Sequence, residues 1–130
     1  MLALSVRQPW ASLIVLGIQR VENRSWATRH RGRLAIHASA RPDDQGGSEL
    51  PDGLAVAELP LGAIIGVVTL TDCVPIEDLP AALRDDPHAQ GPWCWILADP
   101  KPLARPIMCK GRLKLWDVPR ALLSALRRAV

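Results

Sequence analysis

Polar residues that could grip a nucleotide are concentrated in the first third of this sequence. The set comprises Arg7, Gln8, Trp10, Gln19, Glu22, Arg24, Trp26 and His37. Guanidinium groups bind phosphates or base edges through paired hydrogen bonds. Indole rings stack on bases, which contributes about 1–3 kcal/mol per base, and a carboxylate accepts from the exocyclic amine of cytosine or adenine. This combination predicts a ligand cleft that holds a nucleotide or a base.

The same residues also have structural interpretations, which the sequence leaves open. Glu22 could form an internal ion pair with Arg24 or Arg20. His37 could be a satisfied structural histidine. The five tryptophans are the only aromatic residues, and tryptophans commonly serve packing; among them, Trp26 is the best candidate for stacking because a basic run follows it.

Two runs of alternating basic residues are candidates for contact with a nucleic-acid backbone. They are Arg29, Arg31 and Arg33, and then Lys110, Arg112 and Lys114. Alternate residues of a strand point to the same side, so each run would present a row of cations to phosphates. The alternative is that these residues form ordinary solvated surface.

Signatures of common catalytic and cofactor sites are absent from the sequence. There is no Walker loop, no G-x-G-x-x-G, no H-E-x-x-H and no G-x-S-x-G. The three histidines and three cysteines are not spaced as metal ligands, so we expect neither a metal nor a cofactor. If the protein is an enzyme, Glu22 and His37 are the candidate acid/base pair.

The net charge of +3 conceals a segregation of charge along the chain. Residues 1–41 carry seven arginines and one acid, residues 42–100 one arginine and eleven acids, and residues 101–130 eight basic residues and one acid. If the two basic ends meet in space, they form one face suited to phosphate. The alternative is that opposite charges pair across the fold.

Length and hydropathy indicate a single domain over residues 1–130 with no membrane partner. The longest uncharged stretch, 59–71, is too short for a membrane span, which needs about 20 apolar residues. The N-terminus lacks the pattern of a signal peptide. Three widely separated cysteines argue against a disulfide framework, so we expect a cytoplasmic protein, with a monomer as the default state.

Periodicity predicts several strands and two helices. An early helix begins near Pro9 and ends at Gly17, an amphipathic helix closes the chain over 119–130, and residues 18–26 are extended. Loops 40–53 and 84–92 are expected to be exposed and mobile. Strands are predicted at 2–6, 33–39, 62–74, 93–97 and 113–116. Prolines in the middle of the chain favour short strands there, and the whole pattern is typical of a small, mostly β barrel or half-barrel with flanking helices.

Several stretches resemble the ASCH (activating signal cointegrator homology) family. They are LSVRQPW at 4–10, GIQRVENRSW at 17–26 and IHAS at 36–39, continued by 66–73, 91–95 and 110–116. The resemblance implies a PUA-like β-barrel, a fold shared with readers of modified RNA. It also implies a ligand site in a cleft beside the first helix.

One position departs from the family pattern Gly-x-Lys-x-x-Glu-x-Arg. Gly17, Glu22 and Arg24 match it, but Gln19 stands where the lysine is expected. Relatives that hydrolyse acetylcytidine use that lysine and a threonine at the position of Glu22. Because an amide does not titrate, Gln19 cannot replace the lysine as a base or nucleophile, and the resemblance disfavours deacylation here.

The expected function is therefore a nucleic-acid-binding module, for RNA in the first instance, with a nucleotide or base in the cleft. A nucleoside- or RNA-directed hydrolase that uses Glu22 and His37 is the alternative, since some relatives are reported as ribonucleases. A second alternative is a protein-interaction domain in transcription or RNA processing.

Overall fold

A computed structural model describes residues 1–43 and 50–130; part of the predicted loop 40–53 therefore lies outside the described residues. Within these ranges the chain forms six strands and two α-helices. In chain order they are β1 Leu2–Val6, α1 Trp10–Val15, β2 Val21–Arg24, β3 Gly32–Ala38, β4 Ala63–Pro75, β5 Trp93–Met108, β6 Leu115–Asp117 and α2 Arg120–Ala129. Short 3-10 turns occupy Val56–Glu58, Ile76–Asp78 and Ala81–Leu83. The prediction of a mostly β fold with flanking helices is confirmed.

The strands form one sheet in the order β2-β5-β4-β3-β1-β6. β1 runs parallel to β3, and the other neighbouring pairs are antiparallel. Among the described residues, the edge strands β2 and β6 are not hydrogen-bonded to each other. The sheet is thus a half-barrel, and a gap is left between β2 and the β1–β6 edge.

The two helices cover opposite faces of this sheet. Ile14 and Val15 of α1 are buried with Leu34 and Trp95 in the larger core. The helix approaches β4 so closely that a Cβ on Gly66 would lie 2.5 Å from the side chain of Val15, which explains why a glycine stands among the apolar residues of the first half of the strand.

Helix α2 packs on the other face. Leu126 is buried there with Ala35, Ile64 and Trp116. Ala35 alternates with Leu34 along β3, and neighbouring residues of a strand point to opposite faces. The amphipathic helix predicted near the C-terminus is therefore confirmed, and Leu126 is the side chain that it buries fully.

The middle of the chain differs from the prediction of short strands. β4 has 13 residues and β5 has 16. Pro100 and Pro106 fall where the register between β5 and β4 shifts, whereas Pro102 is paired with Gly66. Such irregularities remove ladder positions where a proline would lack an N–H, so the proline pattern did not end the strand at Leu97.

The structure adds detail to two connecting segments. Only residues 21–24 of the extended segment 18–26 form a strand, because the N–H groups of Ile18 and Gln19 both donate to the Leu13 carbonyl at 3.0 Å in a helix-terminal turn. Before the predicted loop 84–92, Leu79 and Leu83 are buried against Val21 in a small third core. This core brings the loop onto β2.

No helix of the described residues has the length and apolar composition needed to cross a membrane. Cys73, Cys94 and Cys109 are all free thiols.

Candidate functional site

A cleft of about 810 Å³ lies in the gap of the half-barrel. Its walls come from the end of β1, the start of α1, β2, the loops that follow β3 and precede β5, and the segment before β6. The described lining residues are Ser5, Val6, Arg7, Trp10, Gln19, Glu22, Asn23, Arg24, Ser39, Ala40, Arg41, Asp43, Pro87, His88, Gln90, Arg112, Leu113 and Lys114. The cleft exists because β6 pairs with β1 only as far as Leu4, so β1 continues without a neighbour on that side.

Glu22 and Arg24 form the floor of the cleft. Arg24 Nη2 donates to Glu22 Oε2 at 2.9 Å and to the carbonyl oxygen of Ser5 at 2.8 Å. The guanidinium group thereby connects β2 to the unpaired end of β1. Burial raises the pKa of Glu22, whose side chain is 10% exposed, while Arg24 and the Asn23 N–H act against that rise. The ion pair offered as the structural interpretation of Glu22 is present.

Gln19 is buried beside this pair. Its Nε2 donates to the Val21 carbonyl at 2.7 Å, whereas its Oε1 has no hydrogen-bond partner within the described part of the chain. Arg24 Nε is likewise buried without a partner there. An unsatisfied buried polar group lowers the stability of a fold by about 1–3 kcal/mol. The floor therefore holds one acceptor, Gln19 Oε1, and one donor, Arg24 Nε, whose hydrogen-bonding capacity the described residues leave unused.

The rim of the cleft, defined here as Arg7, Arg41, Arg112 and Lys114, is cationic and exposed. None of these four side chains forms an ion pair with another described residue. Two come from the N-terminal third of the sequence and two from the C-terminal third, so the two basic ends of the chain do meet at one site.

Two arginines outside the rim pair with acidic residues across the fold, as the alternative interpretation of the charge pattern predicts. Arg20 lies 3.7 Å from the carboxylate of Asp86, and Arg31 lies 3.2 Å from that of Asp72. Both pairs join a basic N-terminal residue to the acidic middle of the chain. The rim of the cleft thus has the basic face suited to phosphate, while Arg20 and Arg31 pair with acidic residues across the fold.

Asn23 is a cleft residue that the sequence interpretation missed. Its Nδ2 donates to the His88 carbonyl at 2.7 Å, and its Oδ1 accepts from the N–H groups of Gln90 and Gly91 at 2.9 and 2.8 Å. These bonds position the loop that supplies Pro87, His88 and Gln90 to the wall. The partners are more than 60 residues apart in sequence, so no local motif indicates the contact.

The tryptophans differ in their access to the cleft. Trp10 is half-buried in its wall, and its Nε1 donates to Asp43 at 3.5 Å. Trp26 is not among the lining residues. Its ring meets that of Trp95 edge-on, with centroids 4.8 Å apart, and Lys114 Nζ lies 6.0 Å from its centroid. Trp10 is therefore better placed than Trp26 to stack on a ligand.

His37 is 1% exposed and does not line the cleft. Its Nε2 lies 2.6 Å from the Cys109 carbonyl, which can only accept, so Nε2 carries the proton and Nδ1 accepts from Ser5 Oγ at 3.2 Å. A Cβ on Gly111 would lie 2.6 Å from the imidazole, so that backbone covers the ring. Burial lowers the pKa of His37. The structure does not bring His37 into the cleft with Glu22.

Gln8 also lies outside the lining. It is fully buried, its Oε1 accepts from the Ser12 N–H at 2.9 Å, and its Nε2 donates to the Pro60 carbonyl at 3.0 Å. These bonds satisfy the first turn of α1 and tie it to the segment before β4.

The two basic runs separate in the structure. Arg112 and Lys114 line the cleft, whereas Lys110 does not. The structure also places the earlier run outside the lining: Arg29 is exposed, Arg33 is half-buried, and Arg31 pairs with Asp72. In residues 1–43 and 50–130, no group of three or more His, Cys, Asp or Glu side chains is placed to hold a metal ion.

The family model of the ASCH domain matches residues 4–107. The chain belongs to the ASCH family. It is 38% identical over 126 residues to activating signal cointegrator 1 of Homo sapiens and 36% identical to that of Mus musculus. Each match covers 88% of this chain and 22% of the relative, so the chain spans about a fifth of the length of these proteins.

Solved structures support the fold of this ASCH domain. The crystal structure of ASCH from Zymomonas mobilis superposes with a TM-score of 0.61 at 17% identity, over 98% of this chain and 93% of that one. A mutant of the same protein also has a TM-score of 0.61, over 96% of its chain. The expected PUA-like architecture is confirmed, in the form of a half-barrel.

Proposed function

We propose that this ASCH domain binds RNA and holds one nucleotide in the cleft beside α1, with the base at the floor and the phosphates at the rim. The observation that carries the proposal is the division of charge within the cleft. Its rim has four exposed cations without ion-pair partners among the described residues, while the Glu22 carboxylate lies buried at its floor.

The rim suits the phosphate backbone. Lysine and arginine side chains that approach phosphates release condensed counterions, and this supplies much of the affinity of nucleic-acid-binding proteins. Arg112 and Lys114 stand on one side of the cleft, while Arg7 and Arg41 come from separate segments. An RNA strand that crosses the opening of the cleft would therefore contact cations from three parts of the protein chain.

The floor suits a base with an exocyclic amine. Each oxygen of the Glu22 carboxylate accepts one hydrogen bond from the protein, from Arg24 or from the Asn23 N–H, and keeps further acceptor capacity. Cytosine and adenine present amine donors that a carboxylate can accept. Trp10, half-buried in the wall, offers a surface for stacking.

The size of the cleft is consistent with this ligand. Sites for small molecules commonly have volumes of about 300–1,000 Å³, and this cleft has about 810 Å³. Its opening through the gap of the half-barrel leaves room for the neighbouring nucleotides of a strand.

A salt titration tests the proposal. Fluorescence anisotropy with short single-stranded A, C and U homopolymers is expected to show binding at low salt. The logarithm of Kd should rise linearly with that of salt, by about 0.7 per phosphate contact. The A and C homopolymers should bind more tightly than the U homopolymer. No binding at low salt, or no salt dependence, would refute RNA binding. Equal affinity for the A, C and U homopolymers would refute only the proposal that the floor binds a base with an exocyclic amine.

The hydrolase alternative lacks comparable support. Both ring nitrogens of His37 are engaged with protein groups, and the ring lies outside the cleft lining. Turnover of modified nucleosides or RNA that disappears in Glu22→Ala would revive it. The protein-interaction alternative and a cytoplasmic location stay predictions.

A further inference from the structure

Leu113 is an apolar side chain placed where a nucleic-acid strand would pass. It is 91% exposed, more than any other large apolar residue of the described chain, and it lines the cleft between Arg112 and Lys114. Single exposed leucines are common on protein surfaces. This one stands out because a cation flanks it on each side.

The segment that carries Leu113 is held at its base. On one side, the Cys109 carbonyl accepts from His37 Nε2 at 2.6 Å, and the backbone of Gly111 presses against His37 and Ser5. On the other side, Trp116 Nε1 donates to Ser5 Oγ at 3.2 Å. Residues 112–114, called the tip below, are therefore exposed between two segments that are fixed to the fold.

The backbone of the tip is strained at one residue. Lys114 has a φ of 58°, in the left-handed region. This conformation is uncommon outside glycine and costs a non-glycine residue about 1–3 kcal/mol. Strain of this kind persists where the surroundings enforce it, and it is concentrated at ligand clamps. The contacts of Cys109, Gly111 and Trp116 hold the chain on both sides of this residue.

We infer that Leu113 packs against the base next to the one held in the cleft, so that the ligand is a strand of at least two nucleotides rather than a free mononucleotide. The inference rests on the proposed function. Arg112 and Lys114 bind the phosphates on either side, which leaves the leucine facing the base between them. Leucine side chains serve as apolar wedges at base steps in other nucleic-acid complexes. A mononucleotide has no second base for it to contact.

The test compares Leu113→Ala with the wild-type protein on two probes. The probes are a pentanucleotide RNA of degenerate sequence, followed by anisotropy, and the four nucleoside monophosphates, followed by NMR titration at millimolar concentration. Leu113→Ala should weaken pentanucleotide binding about fivefold, since it removes part of one buried leucine. It should leave the salt slope and the mononucleotide affinity unchanged, because it removes no charge and no contact at the floor.

Two further variants sharpen the result. Met108→Ala is the matched control, because Met108 is 71% exposed but lies outside the cleft lining, and it should change neither affinity. Leu113→Trp should strengthen pentanucleotide binding, because an indole stacks on a base better than an aliphatic side chain does.

The failures are distinguishable. If Leu113→Ala binds the pentanucleotide as tightly as the wild type does, the proposed contact of Leu113 with a second base is refuted, while the proposal of RNA binding stands. If it weakens both probes equally, Leu113 acts on the nucleotide in the cleft, and the inference is again wrong. If the wild-type protein binds no RNA at low salt, the proposed function fails and the inference fails with it. Leu113 is exposed, so unfolding curves of both Leu113 variants should overlay that of the wild type.

Discussion

The floor and the rim of the cleft both contain arginine, but the two regions use it differently. At the floor, Arg24 is half-buried and bonded to Glu22 and to the Ser5 carbonyl. At the rim, Arg112 is exposed and has no ion-pair partner among the described residues. The comparison shows that the surroundings of a guanidinium group, and not its chemistry, decide whether it supports the fold or is available to a ligand.

This difference has energetic consequences. Removing one partner of a buried ion pair leaves an uncompensated charge and is strongly destabilising. Exposed charges interact weakly with the rest of the protein and are screened by salt. Substitutions at the floor should therefore change stability, and substitutions at the rim should change binding.

The largest effect is expected from Arg24→Ala. This variant leaves the Glu22 carboxylate buried without its cation and the Ser5 carbonyl without a donor, so the free energy of unfolding should fall by about 3 kcal/mol. Arg112→Ala, the matched change at the rim, should alter it by less than about 0.5 kcal/mol. Urea denaturation measures both. Equal stability of the two variants would remove the distinction between floor and rim.

A smaller effect, on binding alone, is expected from the double variant Arg112→Gln and Lys114→Gln. Each lost phosphate contact should lower the salt slope for single-stranded RNA by about 0.7, so the pair should lower it by about 1.4. The control is Arg105→Gln with Arg127→Gln, two exposed residues outside the cleft lining. If the control lowers the slope as much as the rim variant does, net charge rather than the rim attracts the RNA.

The smallest effect concerns His37, which is positioned behind the rim. Its pKa in the folded protein lies below the ordinary value of 6.5 because burial disfavours the charged form. Below about pH 6.5 the unfolded chain therefore binds more protons at His37 than the folded protein does. The free energy of unfolding is not reduced by His37 above about pH 6.5, and it decreases as the pH falls below that value.

Comparison with His37→Gln isolates this contribution, since the other titrating groups are common to both proteins. Between pH 7.5 and 5.5 the wild type should lose more of its unfolding free energy than the variant does. Urea denaturation at the two pH values measures the difference. Parallel pH profiles would show that His37 is not held neutral.

Local patterns predicted the elements of the fold, while the contacts between distant segments had to come from the structure. Gly17 ends α1 with a φ of 80°, as its position after the apolar helical residues predicts. The continuation of β5 past Leu97 was missed because the register shifts at Pro100 and Pro106 are a property of the pair β4–β5. No single-strand pattern contains them.

The candidate site was predictable to a similar depth. The chemistry of Arg7, Glu22 and Arg24 is evident from residue type, and all three line the cleft. The exclusion of His37 was not evident, because the carbonyl that engages its ring belongs to Cys109, 72 residues away. The role of Asn23 was missed for the same reason.

The anchored tip at 112–114 has a consequence for engineering. Its three side chains are exposed, and none of them belongs to the buried cores, so most replacements there should leave folding unchanged. The anchors hold the backbone on both sides of the tip, but the left-handed φ of 58° at Lys114 disfavours β-branched replacements at that position. Arg112 and Leu113 are therefore the positions at which a combinatorial library can be screened for altered ligand preference on a constant scaffold.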